Sequence, residues 1–111
     1  MMKTALLGLD IGTTSTKAVL FAENGMELAR AASKPYRNLT PKTGWVEQDP
    51  EEIWQAVLSA LRDVMTQAGS DVQVAGICMA AQSGSLLPAD GRGEPVYPLI
   101  TWMDGRTEEL V

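Results

Sequence analysis

The sequence predicts an α/β domain built around a mixed sheet, on three observations. Apolar Ala5-Leu6-Leu7-Gly8-Leu9 and Ala18-Val19-Leu20-Phe21 flank a turn of small residues, which reads as two adjacent strands. Between Asp49 and Gly69, apolar residues recur at the 3.6-residue period of a helix. Residues 72–81 are almost continuously apolar, as expected of a central strand covered on both faces.

Each element follows from local chemistry. After the second strand, Glu23-Asn24-Gly25 is an Asn-Gly hairpin signal, and residues 26–33 read as a third, antiparallel strand. Residues 34–48 are rich in Pro, Asn, Thr and Gly, with Tyr36 and Trp45 embedded; loops this long are commonly functional or packed through their own side chains. Asp49 is a good N-cap, Pro50 suits the first helical position, and Glu52 completes a capping-box spacing. Ile53, Trp54, Val57, Leu58, Leu61, Val64, Met65 and Ala68 line one helix face, so Trp54 and Met65 are expected in the core, and Gly69 ends the helix. Gln82-Ser83-Gly84-Ser85 interrupts the apolar run, Leu86-Leu87 resumes it, and residues 89–93 turn the chain. Residues 95–102 return as an extended segment that Pro95 and Pro98 confine to a sheet edge. Residues 107–110 look like the first turn of a helix. An ending inside a nascent helix leads to the expectation that residues 1–111 are the front part of something longer.

Composition narrows the function. The 111 residues are 45% apolar and 21% charged, with a net charge of −5. Lys and Arg are scattered, so no clustered basic face is available and a nucleic-acid partner is not expected. There is no histidine, which excludes a Ser-His-Asp triad and a His-ligated metal within these residues. The one cysteine, Cys78, excludes an internal disulfide; its apolar surroundings in sequence predict a buried, inert thiol. No apolar segment is long enough to span a membrane and no signal-peptide pattern opens the chain, so a cytoplasmic protein without a membrane partner is expected.

The stretch most suggestive of chemistry is Asp10-Ile11-Gly12-Thr13-Thr14-Ser15-Thr16-Lys17. Gly12 allows close approach of backbone to another group, Thr13, Thr14 and Ser15 offer hydroxyl and amide donors, and Lys17 adds a cation. Asp10, an acid at a strand end, suits a site that holds Mg²⁺ through a carboxylate and the phosphates themselves. The alternative for this octapeptide alone is an ordinary hairpin whose hydroxyls satisfy their own turn. No P-loop and no dinucleotide-binding Gly-x-Gly-x-x-Gly occurs.

Four segments in order carry a resemblance: residues 10–17, Gly44-Trp45-Val46-Glu47-Gln48-Asp49-Pro50-Glu51-Glu52-Ile53-Trp54, Gly76 through Gln82, and Trp102-Met103-Asp104-Gly105-Arg106-Thr107. The second is the most specific, because an amphipathic helix does not require that lead-in. Together they resemble the N-terminal portion of the FGGY family of carbohydrate kinases over essentially the whole chain, nearest to the xylulose, gluconate and erythritol kinase members. The resemblance implies the ribonuclease-H-like (actin/hexokinase/Hsp70 type) fold, truncated. Residues 1–111 would form the N-terminal part of the first kinase domain, without the second, ATP-binding domain.

The resemblance also implies ATP and Mg²⁺ as cofactors and a small-molecule sugar or polyol as partner. Asp10 would lie on the Mg²⁺ and γ-phosphate side, with the general base outside these residues. Gly12, Thr13, Thr14, Ser15 and Lys17 would line the phosphate turn. Gln82, Ser83, Gly84, Trp102, Asp104 and Arg106 would contact or shape the sugar pocket. Glycerol kinases carry Arg-Glu where this chain has Ser83-Gly84, and xylulose kinases carry Met-His there, so the acceptor is left unnamed. Trp102 could instead cap the core, Asp104 and Arg106 could form a structural ion pair, and Gln82-Ser83 an ordinary turn. Two other classes stay open: an actin- or Hsp70-like ATPase domain, and a non-catalytic binding or assembly domain. A segment this short should be catalytically inactive by itself and should expose surface that favours self-association as a homo-oligomer.

Overall fold

The computed structural model describes residues 1–110. The element order is β1 (Lys3–Ile11), β2 (Thr16–Ala22), β3 (Glu27–Ala32), β4 (Glu47–Gln48), α1 (Pro50–Ala68), β5 (Val72–Ala81), β6 (Leu99–Ile100) and a 3₁₀ turn over Glu108–Leu110. The main sheet is ordered β3-β2-β1-β5. β1 pairs antiparallel with β2 and parallel with β5, so the sheet is mixed as expected. β4 and β6 form a separate two-stranded ribbon.

Strand alternation and helix periodicity meet in one core. Ala5, Leu7 and Leu9 of β1, Ala18 and Leu20 of β2, and Ala29 of β3 pack against Val57, Ala60 and Val64 of α1. Asp49 caps α1 by accepting the Glu51 N–H at 2.9 Å, and Gly69 closes it by donating to the Met65 carbonyl at 3.2 Å. The capping box is not completed. Glu52 turns away to accept the Arg37 backbone N–H at 2.7 Å and Nε at 2.9 Å, which ties the long loop to the helix.

Three expectations need correction. Residues 72–81 do not form a central, doubly covered strand: β5 is an edge strand, and Ile77, Cys78 and Met79 are exposed. Their apolarity is real, but α1 lies over β2 and β3 and leaves both faces of the outer half of β5 uncovered. The radius of gyration of 16.9 Å, against about 13 Å for a compact 100-residue domain, goes with an elongated shape of 58 × 27 × 22 Å. Cys78 is therefore not the buried thiol its neighbours suggested. Trp54 is half exposed, because the helix face on the sheet is centred on Ile53, Val57, Ala60 and Val64 and Trp54 falls on its flank. Met65 does pack against the core.

Candidate functional site

β1 ends at Ile11 and β2 begins at Thr16, and the turn between them is closed by the Gly12 N–H donating to the Ser15 carbonyl at 3.0 Å. A Cβ on Gly12 would stand 3.1 Å from that carbonyl oxygen and 3.9 Å from Asp10 Oδ1, so the space over the turn depends on glycine. Among the described residues, the N–H groups of Thr13, Thr14 and Ser15 donate to no protein acceptor. Asp10 and Lys17 face each other across β1 and β2, both exposed and neither in an ion pair among the described residues. Unused amides in a turn whose flanking strand ends carry an exposed carboxylate and an ammonium are the groups that can hold phosphate with a cation.

The opposite side of the turn is fully engaged. The Thr13 carbonyl accepts Gln48 Nε2 at 2.8 Å, and the Thr14 carbonyl accepts the Tyr36 N–H at 2.8 Å. Thr16 Oγ1 and the Tyr36 hydroxyl share a buried 2.6 Å hydrogen bond, and burial pushes the Tyr36 phenol above its ordinary value, keeping it neutral. The loop at residues 34–48 is thus the backing that fixes the turn.

Gln82 follows β5 directly, and its N–H donates to the Ile11 carbonyl at 2.9 Å, which carries the chain past the phosphate-like turn. Gln82 Nε2 donates to Gln48 Oε1 at 3.1 Å and more weakly to the Gly12 carbonyl at 3.5 Å. Ser85 Oγ donates to Gln82 Oε1 at 2.8 Å and accepts the Trp102 N–H at 3.1 Å. Trp102 Nε1 donates to Thr13 Oγ1 at 2.9 Å while the residue is 56% exposed, so Trp102 does not cap the core. Gly84 has φ +80°, and a Cβ there would lie 3.4 Å from Trp102 Cβ; only glycine adopts that backbone without strain. The fold therefore gathers Gln82, Gly84 and Trp102 beside Gly12 and Thr13, with exposed Ser83 in the same loop.

Asp104 and Arg106 line one surface cavity with Gly84 and Trp102, but their polar atoms are turned inward. Arg106 Nε and Nη2 donate to Asp104 at 2.8 and 2.9 Å, Nη2 also reaches Glu47 Oε2 at 2.7 Å, and Nη1 meets the Tyr97 hydroxyl at 3.3 Å. The guanidinium carbon sits 3.9 Å from the centre of the Trp45 ring, and Asp104 Oδ1 accepts the Val46 N–H at 2.6 Å. Hydrogen bonds from Arg106 hold the Asp104 carboxyl far below the usual carboxylate range and that of Glu47 below it, while those to Asp104 raise Arg106. All three stay ionised, and the cluster braces β4 against the 102–107 turn. The Asp104–Arg106 ion pair weighed as an alternative does form, in residues that also line the cavity beside Trp102.

The sequence reading missed Gln48, Ser85 and Tyr36 as site residues. The available signal was the polar pair Glu47-Gln48 just before the helix cap, where helix initiation demands neither. Both side chains are buried, one in the Arg106 cluster and one behind the turn.

A family model described as the FGGY family of carbohydrate kinases, N-terminal domain, matches residues 5–111. A glycerol kinase from Methylibium petroleiphilum is 39% identical over 110 residues, covering 96% of this chain and 22% of its own length. A gluconokinase from Bacillus subtilis is 40% identical over 107 residues, covering 96% of this chain and 20% of its own. The crystal structure of xylulose kinase from Rhodospirillum rubrum superposes with a TM-score of 0.88 at 35% identity, over 95% of this chain and 22% of that one. The chain thus spans about a fifth of the length of the relatives it matches. The superposition establishes the actin/hexokinase-like fold of sugar kinases.

Proposed function

The chain belongs to the FGGY family of carbohydrate kinases, whose N-terminal domain it matches, and on that premise we propose that it supplies the phosphate turn and part of the acceptor pocket of an ATP-dependent kinase. The reaction moves the γ-phosphoryl group of ATP to a hydroxyl of a sugar or polyol. The observation that carries this reading is the turn itself, with three unused N–H groups beside exposed Asp10 and Lys17, set against the Gln82–Trp102 cluster. Phosphoryl transfer is chiefly positioning and charge neutralisation, so donors fixed from behind suit the task.

The residues fit MgATP. Mg²⁺ prefers one or two carboxylates combined with phosphate oxygens, and Asp10 presents one carboxylate over the glycine gap. No cluster of three metal-ligating side chains exists among the described residues, which suits a cation completed by the nucleotide. When bound, the cation neutralises charge on the transferring group. Gly12, Thr13, Thr14, Ser15 and Lys17 hold the phosphate side. Trp102 offers an exposed aromatic face to the acceptor, Gln82 and Ser83 offer polar groups, and Asp104 with Arg106 shapes the floor rather than contacting the acceptor. Ser83 and Gly84 are small and supply no charged clamp of the glycerol kinase type, so a ketose or a polyol bulkier than glycerol is the preferred acceptor class. The general base and the adenosine site belong to the rest of the enzyme, and residues 1–111 alone do not turn over.

The test is ATP consumption by the full-length protein with xylulose, gluconate or glycerol, reading ADP, phosphorylated acceptor and inorganic phosphate together. Equal ADP and phosphorylated acceptor supports the reading. Acceptor-independent release of phosphate points to an ATPase, and failure to bind either substrate points to a non-catalytic domain.

A further inference from the structure

We infer that Gln48 is a positioning residue that locks the phosphate turn to the acceptor loop; the inference rests on the kinase reading above. Gln48 has no exposed surface, yet its side chain ends in an amide with two donor hydrogens and an acceptor oxygen. Nε2 uses both hydrogens, donating to the Thr13 carbonyl at 2.8 Å and to Asn38 Oδ1 at 2.9 Å. Oε1 accepts from Gln82 Nε2 at 3.1 Å. A buried amide with all three contacts made is a rigid strut, and β4 pairing with β6 at Gln48 and Leu99 holds its backbone in place.

The contacts close into a ring. Thr13 binds Gln48, Gln48 binds Gln82, Gln82 binds Ser85, Ser85 binds Trp102, and Trp102 returns to Thr13 through Oγ1. Gln82 and Trp102 stand on the acceptor side, while the N–H of Thr13 faces the phosphate side. Gln48 touches neither ligand position, so its effect passes through where it holds Thr13 and Gln82. Misplacement of reacting groups by about 1 Å costs about a hundredfold in rate without abolishing binding, so the loss should appear in kcat rather than KM.

The experiment uses Gln48→Met, of similar length and apolar, and Gln48→Glu, which keeps an acceptor toward Gln82 but has no donor for Thr13 and Asn38 when ionised. Both are placed in the full-length protein and assayed with MgATP and the best acceptor of the panel, with the folded fraction measured by thermal melting. For Gln48→Met, kcat per folded molecule should fall at least about tenfold while both KM values stay within about threefold. For Gln48→Glu, activity relative to the unsubstituted protein should rise from about pH 8 to about pH 6, because a buried carboxyl takes up a proton readily and the neutral acid regains a donor. A structural role alone would lower the melting temperature and the folded fraction but leave kcat per folded molecule and the pH ratio unchanged. That result would overturn the inference. Ser85→Ala, at a half-buried position of the same ring, serves if the Gln48 variants do not fold: a kcat-selective loss supports the ring, and an unchanged kcat overturns it. An unsubstituted protein that phosphorylates no acceptor sinks the kinase reading and this inference together, whereas an active one with normal variants sinks only the inference.

Discussion

The bond between Trp102 Nε1 and Thr13 Oγ1 is, among the described residues, the one hydrogen bond that joins a side chain of the proposed acceptor side to a side chain of the phosphate turn, and a double-mutant cycle measures what it contributes. Trp102→Phe keeps an aromatic face and removes the donor; Thr13→Val keeps a β-branched shape and removes the acceptor. A neutral hydrogen bond contributes about 0.5–1.5 kcal/mol net, and with Trp102 at 56% exposure the lower half of that range applies. An energy of about 0.5–1 kcal/mol corresponds to a factor of about two to five in kcat/KM. Thr13→Val alone can lose more, because Thr13 also lines the turn, but the coupling between the two changes isolates their shared bond. The assay is kcat/KM of the full-length kinase for the four proteins of the cycle. The double variant should lose about 0.5–1 kcal/mol less than the sum of the singles, whereas additivity within about 0.3 kcal/mol would refute the claim that this bond joins the two halves.

Two further outcomes follow from packing and charge. Because Asp104 and Glu47 have lowered values in the fold, their contribution to stability is complete above the ordinary carboxylate range and is lost as pH falls through their depressed folded values. Melting temperature should therefore drop below about pH 4, and Arg106→Met should flatten that acid dependence; an unchanged acid limb in Arg106→Met would show that the cluster does not govern it. Leu20 is fully buried between the sheet and α1, so Leu20→Ala should cost about 3 kcal/mol in denaturant unfolding, and a loss under about 1 kcal/mol would contradict the assigned core.

Local signals made the framework legible. Alternating apolar residues on β1 and β2, an Asn-Gly hairpin and a capped amphipathic helix each state their conformation within a few residues. Apart from Trp54, which falls on the flank of its helix, the failures involve cover or partners supplied from a distance. The apolarity of Val72–Ala81 states that the strand is meant to be buried, but what lies over it is decided by where α1 packs. Asp10, Gly12 and the hydroxyl turn were visible because one short loop contains them. Gln48 was not, because its partners Thr13, Asn38 and Gln82 come from three separate parts of the chain. Arg106 likewise found Glu47 across 59 positions, so residues that line the cavity beside Trp102 also form a brace that no local signal announces.

Asp10→Asn in the full-length protein tests the central claim most directly. The Asp10 carboxylate is exposed and makes no ion pair among the described residues, so its neutral isostere should leave the melting temperature nearly unchanged. If Asp10 directs the cation at the transferring phosphate, kcat should fall by about a hundredfold or more. A folded Asp10→Asn protein that phosphorylates its acceptor at near-normal rate would contradict the role assigned to the turn.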